Sequence, residues 1–523
     1  MINATMLRRL PNALLVPLFA LSLALSAFAA AGGQPLLWFA DGRPTAAALE
    51  VVAILTAAPD DGLDARDYDA DGLRAAVVRA DRESPAAPAS LASLDAALTA
   101  AFSRYLGDLR SGRIDPRQIG ESFDAPGGRY PPGASSLNEM IADGRLAEAV
   151  ADARPPLPEY VGLREALAGY RALANDPAWR NSLPPLPGKK LEPGQAWAGV
   201  PELRRRLALL GDLPTGTSAT TRYEGATVDG VRAFQSRHGL TPDGVVGKVT
   251  FEQLNVPPGA RAQQIELAME RLRWTPRPPR AVVVNVPEFV LRAYDARRGS
   301  AEPVARMNVI VGNAPRTLTP IFGAEMRYVE FSPYWNVPPS IARGETIPKL
   351  RRDPAYFHQQ GFEFVGADGR VINSVSDENI DAVQRGQMRI RQRPGARNAL
   401  GDIKFIFPNP DNIYLHHTPT PQLFKRDRRD FSHGCIRVEA PVELAKFVLA
   451  DAPEWSEERI VEAMTRGRSA TLPLREPLPV IITYRTTVVE DSKVRFFPDL
   501  YGRDARLAEA LHQRAEAFRS REK

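Results

Sequence analysis

The chain has one cysteine, and several histidines lie near it. Cys435 follows His433 and Gly434, and His416 lies nineteen residues upstream. A thiol becomes a good nucleophile as the thiolate, and a neighbouring imidazole can take its proton near neutral pH. The pair could therefore attack a carbonyl compound. Because Gly434 has no side chain, the substrate could approach the backbone there, where the amides of Gly434 and Cys435 could stabilise an oxyanion.

The same residues allow two other interpretations. A single cysteine is most often a small buried side chain. His416, His417, His433 and Cys435 could also offer ligands to a zinc ion, although the close C-x-x-C or H-x-x-x-H pairs typical of structural zinc sites are absent. The residues alone do not decide whether Cys435 is a nucleophile, a buried core residue or a metal ligand.

Short strands must position these side chains. From about residue 279 the sequence shows β-branched or aromatic runs bounded by Pro, Gly or Asn, which predict strands. The predicted strands are Ala281–Val286, Phe289–Tyr294, Val304–Val311, Met326–Phe331, Ile403–Phe407, Asn412–His416, Val480–Arg485 and Val494–Phe497. His416 would end one strand, and Cys435 would lie in the loop that follows. We predict a mostly-β domain at 279–487, a capping insertion at 336–391 and a tail of strand and helix at 488–523.

The segment upstream of this domain is predicted to be helical. Residues 35–190 repeat apolar side chains three and four positions apart, with turn signals between the runs. A Pro/Gly-rich linker at 181–199 precedes a compact unit at 200–256 with three short helices. The fold class is therefore multidomain α+β.

Composition excludes several classes of protein. The 523 residues are 44% apolar, which is enough for a folded core and argues against wholesale disorder. The formal net charge is only +5, without a long Lys/Arg run, which argues against nucleic-acid binding. One cysteine cannot form an internal disulfide, so a disulfide-stapled scaffold is excluded.

The first 29 residues are predicted to be a signal peptide. Arg8 and Arg9 precede an uncharged apolar run, and Ala27-Phe28-Ala29 has the small-x-small pattern of a cleavage site. An uncleaved membrane anchor is the alternative, because about 20 apolar residues can span a bilayer. Either way we expect the protein to be exported.

The motif that contains His416 and Cys435 resembles that of a known enzyme family. His416, fifteen intervening residues and Ser432-His433-Gly434-Cys435 resemble the signature of the L,D-transpeptidases with a YkuD-type catalytic domain. Residues 332–341, 394–401 and 404–409 resemble the long, YcbB-like Gram-negative branch of that family. Residues 200–256 resemble its three-helix peptidoglycan-binding module, through Phe234-Gln235 and the Asp-Gly-x-x-Gly-x-x-Thr run ending at Thr250.

The resemblance implies a mechanism and a set of roles. Cys435 would attack the carbonyl before the terminal D-alanine of a tetrapeptide stem, and His416 would act as base. The side-chain amine of a second stem would resolve the thioester, forming a 3→3 cross-link. His433 would support the site. The remaining implied substrate or oxyanion residues are Ser432, Gly434, Arg437, Tyr414 and Trp335.

Several expectations follow from this resemblance. The insertion would act as a lid, which Trp335, Tyr356 and Phe357 could line, although packing in a core is an equal alternative for each. Arg437 could pair with a substrate carboxylate or form a structural salt bridge. No metal or other cofactor is expected. The expected partners are peptidoglycan tetrapeptide stems, other cell-wall synthesis proteins and, as covalent inhibitors, carbapenems, in the periplasm.

Two alternatives and one departure remain. A hydrolase on the same fold would use water as acceptor, and a non-catalytic scaffold would only bind the wall; attachment of a lipoprotein to the wall is a further transferase variant. The residue after the base is usually Asp in related sequences, whereas here it is His417. If a backbone carbonyl orients the base, His417 can replace the Asp without loss. If a carboxylate is needed, the imidazole would be less well oriented and the reaction slower.

Overall fold

The computed structural model describes residues 36–83, 87–123, 134–214, 221–300 and 302–521. The predicted signal peptide lies outside these residues. The predicted fold class is confirmed: a helical N-terminal region and a three-helix unit precede a mostly-β region. Within the described ranges no helix is both long enough and apolar enough to cross a bilayer.

The N-terminal region is a helical bundle. Trp38, Leu55, Leu98 and Phe102 are buried in its core, and the rings of Trp38 and Phe102 meet edge to face. Helical spacing places the apolar side chains of each helix on one side, which explains why the helices associate. The elements are β1 (Phe39–Ala40), β2 (Arg43–Pro44), α1 (Ala46–Thr56), α2 (Ala70–Arg82), α3 (Pro88–Ser111), β3 (Glu121–Ser122), α4 (Ala134–Ala142), α5 (Leu146–Ala153) and α6 (Pro158–Ala172).

A separate small core holds the three-helix unit together. Its helices are α7 (Val200–Leu209), α8 (Ala226–Arg237) and α9 (Lys248–Leu254). Gln235 is buried, and its side-chain amide donates to the Val245 carbonyl at 3.0 Å, which fixes the turn before α9. A long helix, α10 (Pro258–Trp274), then leads into the β region.

The β region is a sheet that closes on itself. Its strands follow the order β12-β13-β15-β6-β5-β4-β16-β7, and β7 pairs again with β12. Its strands and the helices beside it are β4 (Arg280–Asn285), β5 (Val290–Asp295), β6 (Ala305–Gly312), β7 (Ile321–Phe331), β12 (Ile403–Ile406), β13 (Leu415–His416), β14 (Asp430–Ser432), β15 (Ile436–Val438), α15 (Pro441–Val448), α16 (Glu457–Thr465) and β16 (Ala470–Thr483). The large apolar core lies inside this closed sheet and beneath α15 and α16.

Several strands differ from the prediction. β16 is 14 residues long and begins ten residues before the predicted start, because it bridges β4 and β7. β13 is reduced to two residues, since Asn412, at the predicted start of this strand, has a φ of +53°, which is a turn conformation. β3 of the helical region pairs with β7 in parallel, so the N-terminal region extends the sheet.

The segment between β7 and β12 forms a cap with a core of its own. Phe357, Phe362, Phe364 and Ile390 are buried in this core. The elements of the cap are β8 (Trp335–Asn336), α11 (Pro339–Ile341), a π-helical turn (Ala342–Thr346), α12 (Ile347–Arg352), α13 (Ala355–Gln359), β9 (Phe362–Gly366), β10 (Val371–Ile372), α14 (Asp377–Gln384) and β11 (Met388–Gln392). β8 pairs with β11, so the chain enters and leaves the cap on adjacent strands.

The C-terminal tail packs against the other regions. It consists of β17 (Thr487–Glu490), β18 (Lys493–Phe496) and α17 (Arg503–Arg521). The fully buried Arg271 of α10 pairs with Glu121 of β3 at 3.1 Å and with Asp504 of α17 at 2.5 Å. Burial of an ion pair is tolerated only when its charges are closely partnered. This network therefore ties the helical region, α10 and α17 together.

A second buried network involves the residues next to Arg271 on α10. The carboxylate of Glu270 is fully buried between Arg113 at 3.0 Å and Arg273 at 2.6 Å. Arg113 extends from the helical region, whereas the other two residues belong to α10. The position of the helical region against α10 is thus fixed by charges that are almost entirely buried.

Candidate active site

The parallel pairing of β13 and β15 sets the relative positions of His416, the predicted base, and Cys435, the predicted nucleophile, which directly precedes β15. His416 lies opposite Arg437, and the amide of Ile436 donates to the carbonyl of Tyr414 at 3.1 Å. Side chains alternate between the two faces of a strand, whereas paired residues of neighbouring strands share a face. Tyr414, His416, Cys435 and Arg437 therefore lie on one face of the sheet.

His416 is buried and held in one orientation. Only 4% of the residue is exposed, and its Nδ1 lies 2.5 Å from the backbone carbonyl of His417. A carbonyl only accepts, so Nδ1 carries the hydrogen and Nε2 is left with its lone pair. Burial, with a smaller effect of the Arg437 charge, lowers the pKa of His416 to about 3. The imidazole is thus neutral over the physiological range and can accept a proton at Nε2.

Cys435 is a protonated thiol in this environment. Its Sγ donates to the carbonyl of Asn412 at 3.7 Å. Burial raises the pKa of the thiol, while hydrogen bonding to Tyr414 and the charges of Lys404 and Arg437 act in the opposite direction. The resting pair is therefore a neutral thiol and a neutral imidazole, and the thiolate forms only when a base takes the proton.

The loop before Cys435 is tightly held. The Ser432 hydroxyl donates to the Cys435 carbonyl at 2.5 Å and accepts from the Gly434 amide at 3.1 Å. Gly434 has a φ of +112°, a backbone conformation that favours glycine. The Thr319 hydroxyl donates to the Gly434 carbonyl at 2.8 Å. The Gly434 amide thus has a partner within the loop, and its expected role in binding an oxyanion stays a prediction.

His433 points away from the sheet and toward the cap. Its Nε2 lies 2.5 Å from Oε1 of Glu345, which belongs to the π-helical turn of the cap. Both side chains are almost half exposed. The histidine before the nucleophile therefore joins the nucleophile loop to the cap. Nothing in the sequence around Glu345 indicated this contact, since the two residues are 88 positions apart.

Arg437 and Tyr414 flank the pair. The Nε of Arg437 is buried and has no hydrogen-bond partner among the described residues. Burial lowers the pKa of this guanidinium, yet it remains charged. Burial, together with the nearby Cys435, raises the pKa of Tyr414, so its phenol stays protonated and can donate. Lys404 lies over the Tyr414 ring, 4.2 Å from its centroid.

The aromatic residues expected to line a lid pack within the cap instead. Phe357 is fully buried, and Trp335 and Tyr356 pack against the same apolar core. Trp335 lies on β8, opposite Gln392 of β11. The structure therefore favours core packing over a lining role for these three residues, and the expected substrate contact of Trp335 stays a prediction.

His417 has a separate set of contacts. Its imidazole Nδ1 lies 3.3 Å from a carboxylate oxygen of Asp402, and its amide donates to the carbonyl of Ile403 at 3.0 Å. His416 uses the backbone oxygen of this residue and not its side chain. Among the described residues no group of three or more His, Cys, Asp and Glu side chains could hold a metal ion.

Three family models match the chain. Residues 279–482 match the L,D-transpeptidase catalytic domain (YkuD), and residues 24–167 match a scaffold domain. Residues 198–254 match a domain described as "Putative peptidoglycan binding domain".

One curated relative and one solved structure illustrate the likeness. A protein of Haemophilus influenzae named "Putative L,D-transpeptidase" is 33% identical over 247 residues, which are 47% of this chain and 49% of that protein. The chain thus matches about half the length of this relative. The match to the crystal structure of the L,D-transpeptidase (residues 123–326) from Xylanimonas cellulosilytica covers 57% of this chain and 100% of the other. The identity is 18% and the TM-score 0.19, a score too low to inform the fold.

Proposed function

We propose that this chain, which carries an L,D-transpeptidase catalytic domain and a peptidoglycan-binding domain, forms 3→3 cross-links between tetrapeptide stems of peptidoglycan. The observation that supports a cysteine mechanism best is the hydrogen bond between His416 Nδ1 and the His417 carbonyl. It leaves Nε2 free to accept a proton on the face that Cys435 shares. The predicted export to the periplasm agrees with a peptidoglycan substrate.

The first half-reaction forms a thioester. His416 Nε2 takes the thiol proton as Sγ of Cys435 attacks the carbonyl that precedes the terminal D-alanine. The oxyanion would be stabilised by the Cys435 amide and the Tyr414 phenol, which stays protonated. When the intermediate collapses, the C–N bond breaks and the imidazolium gives its proton to the departing amine of D-alanine.

The second half-reaction consumes the thioester. The side-chain amine of the third residue of another stem attacks the thioester carbonyl, and His416 removes a proton from that amine. The C–S bond breaks, an amide forms, and the proton returns to the sulfur of Cys435. Atoms and charges balance without a metal or another cofactor, because the donor stem already carries the acyl group.

Arg437 would orient the donor. Its Nε is buried and has no hydrogen-bond partner among the described residues, a costly arrangement for a charged donor. A substrate carboxylate at this face would satisfy that N–H and the charge together. The cap would exclude water from the thioester, which supports transfer to an amine over hydrolysis. Its link to the site is the contact between Glu345 and His433.

The decisive experiment is product analysis by mass spectrometry after incubation with purified disaccharide-tetrapeptide. We expect a dimer that has lost one terminal alanine, and none with Cys435→Ala. Tripeptide monomer alone would favour the hydrolase, and unchanged substrate would favour a wall-binding scaffold. His416→Gln should also abolish the product, whereas His358→Gln, which changes an exposed histidine of the cap, should not. A carbapenem should add one covalent equivalent at Cys435.

A further inference from the structure

A row of charged and titratable side chains crosses the sheet beside the catalytic pair. The register pairs Glu330 of β7 with Lys404 of β12, Lys404 with His416 of β13, and His416 with Arg437 of β15. Paired residues of neighbouring strands share a face of the sheet. Two charged residues outside the catalytic motif, Glu330 and Lys404, therefore lie on the face that carries the base and the nucleophile.

Lys404 is held from two sides. Its Nζ lies over the Tyr414 ring, 4.2 Å from the centroid, and 3.8 Å from Oε2 of Glu330. The other carboxylate oxygen of Glu330 accepts from the Ser469 hydroxyl at 3.1 Å, which fixes the carboxylate. Only 19% of the Lys404 side chain and 17% of the Glu330 side chain are exposed. The ammonium group is thus placed between a carboxylate and the face of an aromatic ring.

Stability is a weak reason for such a pair. Removing two charges from water costs free energy that a pair repays only when its groups are in close contact. Glu270 and Arg273 meet that condition at 2.6 Å, whereas Lys404 stays 3.8 Å from its carboxylate and also faces a ring. A cation over the face of an aromatic ring is attracted to it and so restricts the ring. The group that Lys404 restricts is Tyr414, which hydrogen-bonds to the Cys435 thiol.

The charge of Lys404 also reaches the thiol. Burial raises the pKa of the Cys435 thiol, and hydrogen bonding to Tyr414 lowers it. The charges of Lys404 and Arg437 lower it as well. A positive charge on this face stabilises negative charge that develops on the sulfur or on an oxyanion beside it. The other titratable or charged groups around the thiol and the Tyr414 ring are His416 on β13, Glu330 on β7, and His433 and Glu345 at the contact with the cap.

We propose that Lys404 is a positioning residue of the active site, which holds the Tyr414 ring beside Cys435 and supplies positive charge where negative charge develops. The inference rests on the proposed function where it concerns the oxyanion, because Tyr414 would donate to the oxyanion in that mechanism. The effect on the thiol needs no substrate. The alternative is a pair between Lys404 and Glu330 that serves only the packing of the sheet.

The test measures the alkylation of Cys435, the single cysteine, by iodoacetamide at pH 7. The reagent is uncharged, so Lys404 cannot act by attracting it, and only the thiolate reacts. In Lys404→Met the thiolate loses a stabilising charge, so alkylation should slow about three- to tenfold. A purely structural change would act the other way, because water that enters the site relieves the burial that raises the thiol pKa. Lys404→Gln repeats the test if Lys404→Met does not fold.

The controls separate charge from shape. Lys404→Arg keeps a cation that can lie over the ring, so it should alkylate at about the wild-type rate. Lys446→Met is the matched control, since it removes the same charge from α15, where Lys446 pairs with the exposed Glu443 and Glu457. Equal alkylation of Lys404→Met, Lys446→Met and the wild type would overturn the proposal. Faster alkylation of Lys404→Met, or slow alkylation of Lys404→Arg, would also overturn it.

Release of D-alanine tests the positioning of Tyr414. If Lys404 acts through the phenol, Lys404→Met should slow the release much less in a Tyr414→Phe background than in the wild type. Equal losses in both backgrounds would contradict the positioning of Tyr414. If the wild type releases no D-alanine, the proposed function fails, while slower alkylation of Lys404→Met would still support the charge beside the thiol.

Discussion

Replacing His417 by Ala tests how the base is oriented. The structure shows that His416 Nδ1 donates to the backbone carbonyl of residue 417, and an alanine supplies the same carbonyl. The side chain of His417 serves a different contact, with Asp402. We therefore expect the substitution to leave the base in place, although related sequences usually have a carboxylate at this position.

The magnitude follows from what the side chain contacts. The imidazole of His417 is 25% exposed and the Asp402 side chain 33%, and the two lie 3.3 Å apart. A partly exposed pair of this kind contributes about 0–1 kcal/mol to stability. If the whole of that were lost from the transition state, the rate would fall by about fivefold at most. Removing a general base costs about 10²–10⁴-fold, so His416→Gln should be far more severe.

The assay is the initial rate of D-alanine release from disaccharide-tetrapeptide, compared for the wild type, His417→Ala and His416→Gln. Circular dichroism and thermal unfolding check that all three are folded. A loss of 100-fold or more in folded His417→Ala would refute orientation through the backbone. His417→Asp extends the test: its carboxylate would face Asp402, so we expect lower stability and no gain in rate.

Three other predictions concern stability and the nucleophile loop. Burial lowers the pKa of His416 to about 3, below the ordinary value near 6.5, so the unfolded chain binds more protons between these values and stability falls as pH falls. From pH 7 to 5 this residue should account for about 2 kcal/mol of lost unfolding free energy, and urea titrations in which His416→Gln keeps the full pH dependence would contradict it. Glu270→Gln leaves Arg113 and Arg273 buried without a full counter-charge, so it should lower the free energy of unfolding by about 3–5 kcal/mol. Calorimetry should show a Tm well below that of Glu266→Gln, which changes a partly exposed glutamate and serves as the control. Gly434→Ala forces a side chain into a φ of +112° and should cost about 1–3 kcal/mol and slow D-alanine release, whereas Gly344→Ala, with open space around its Cβ position, should do neither.

The sequence predicted the helices and most strands because their apolar spacing is local. It also placed His416 and Cys435 on neighbouring elements through their separation and residue types. The parallel pairing of β13 and β15 was beyond such reasoning, since both strands are only two or three residues long. The partners of His433 and His417, which are Glu345 and Asp402, carry no local signal because the contacts depend on how distant segments pack.

The participation of β3 in the sheet was also unpredicted. Its two residues lie in a helical region and have no strand pattern, and only the open edge of β7 gives them a partner. Trp335 was expected to contact substrate only because of the family resemblance. Its packing against the cap core depends on β8 pairing with β11, more than 50 residues further along the chain.

The closed sheet sets the order in which this protein can be completed. β4 acquires its neighbour β16 only after about 200 further residues have been synthesised. A similar number of residues separates β3 from its neighbour β7. At about 5–20 residues per second, each wait lasts about 10–40 seconds. Until residues 470–483 arrive, β4 and the early part of β7 are open edges, which pair readily with strands of other chains. A chain interrupted before residue 470 should therefore aggregate, even though the whole catalytic pair has already been synthesised.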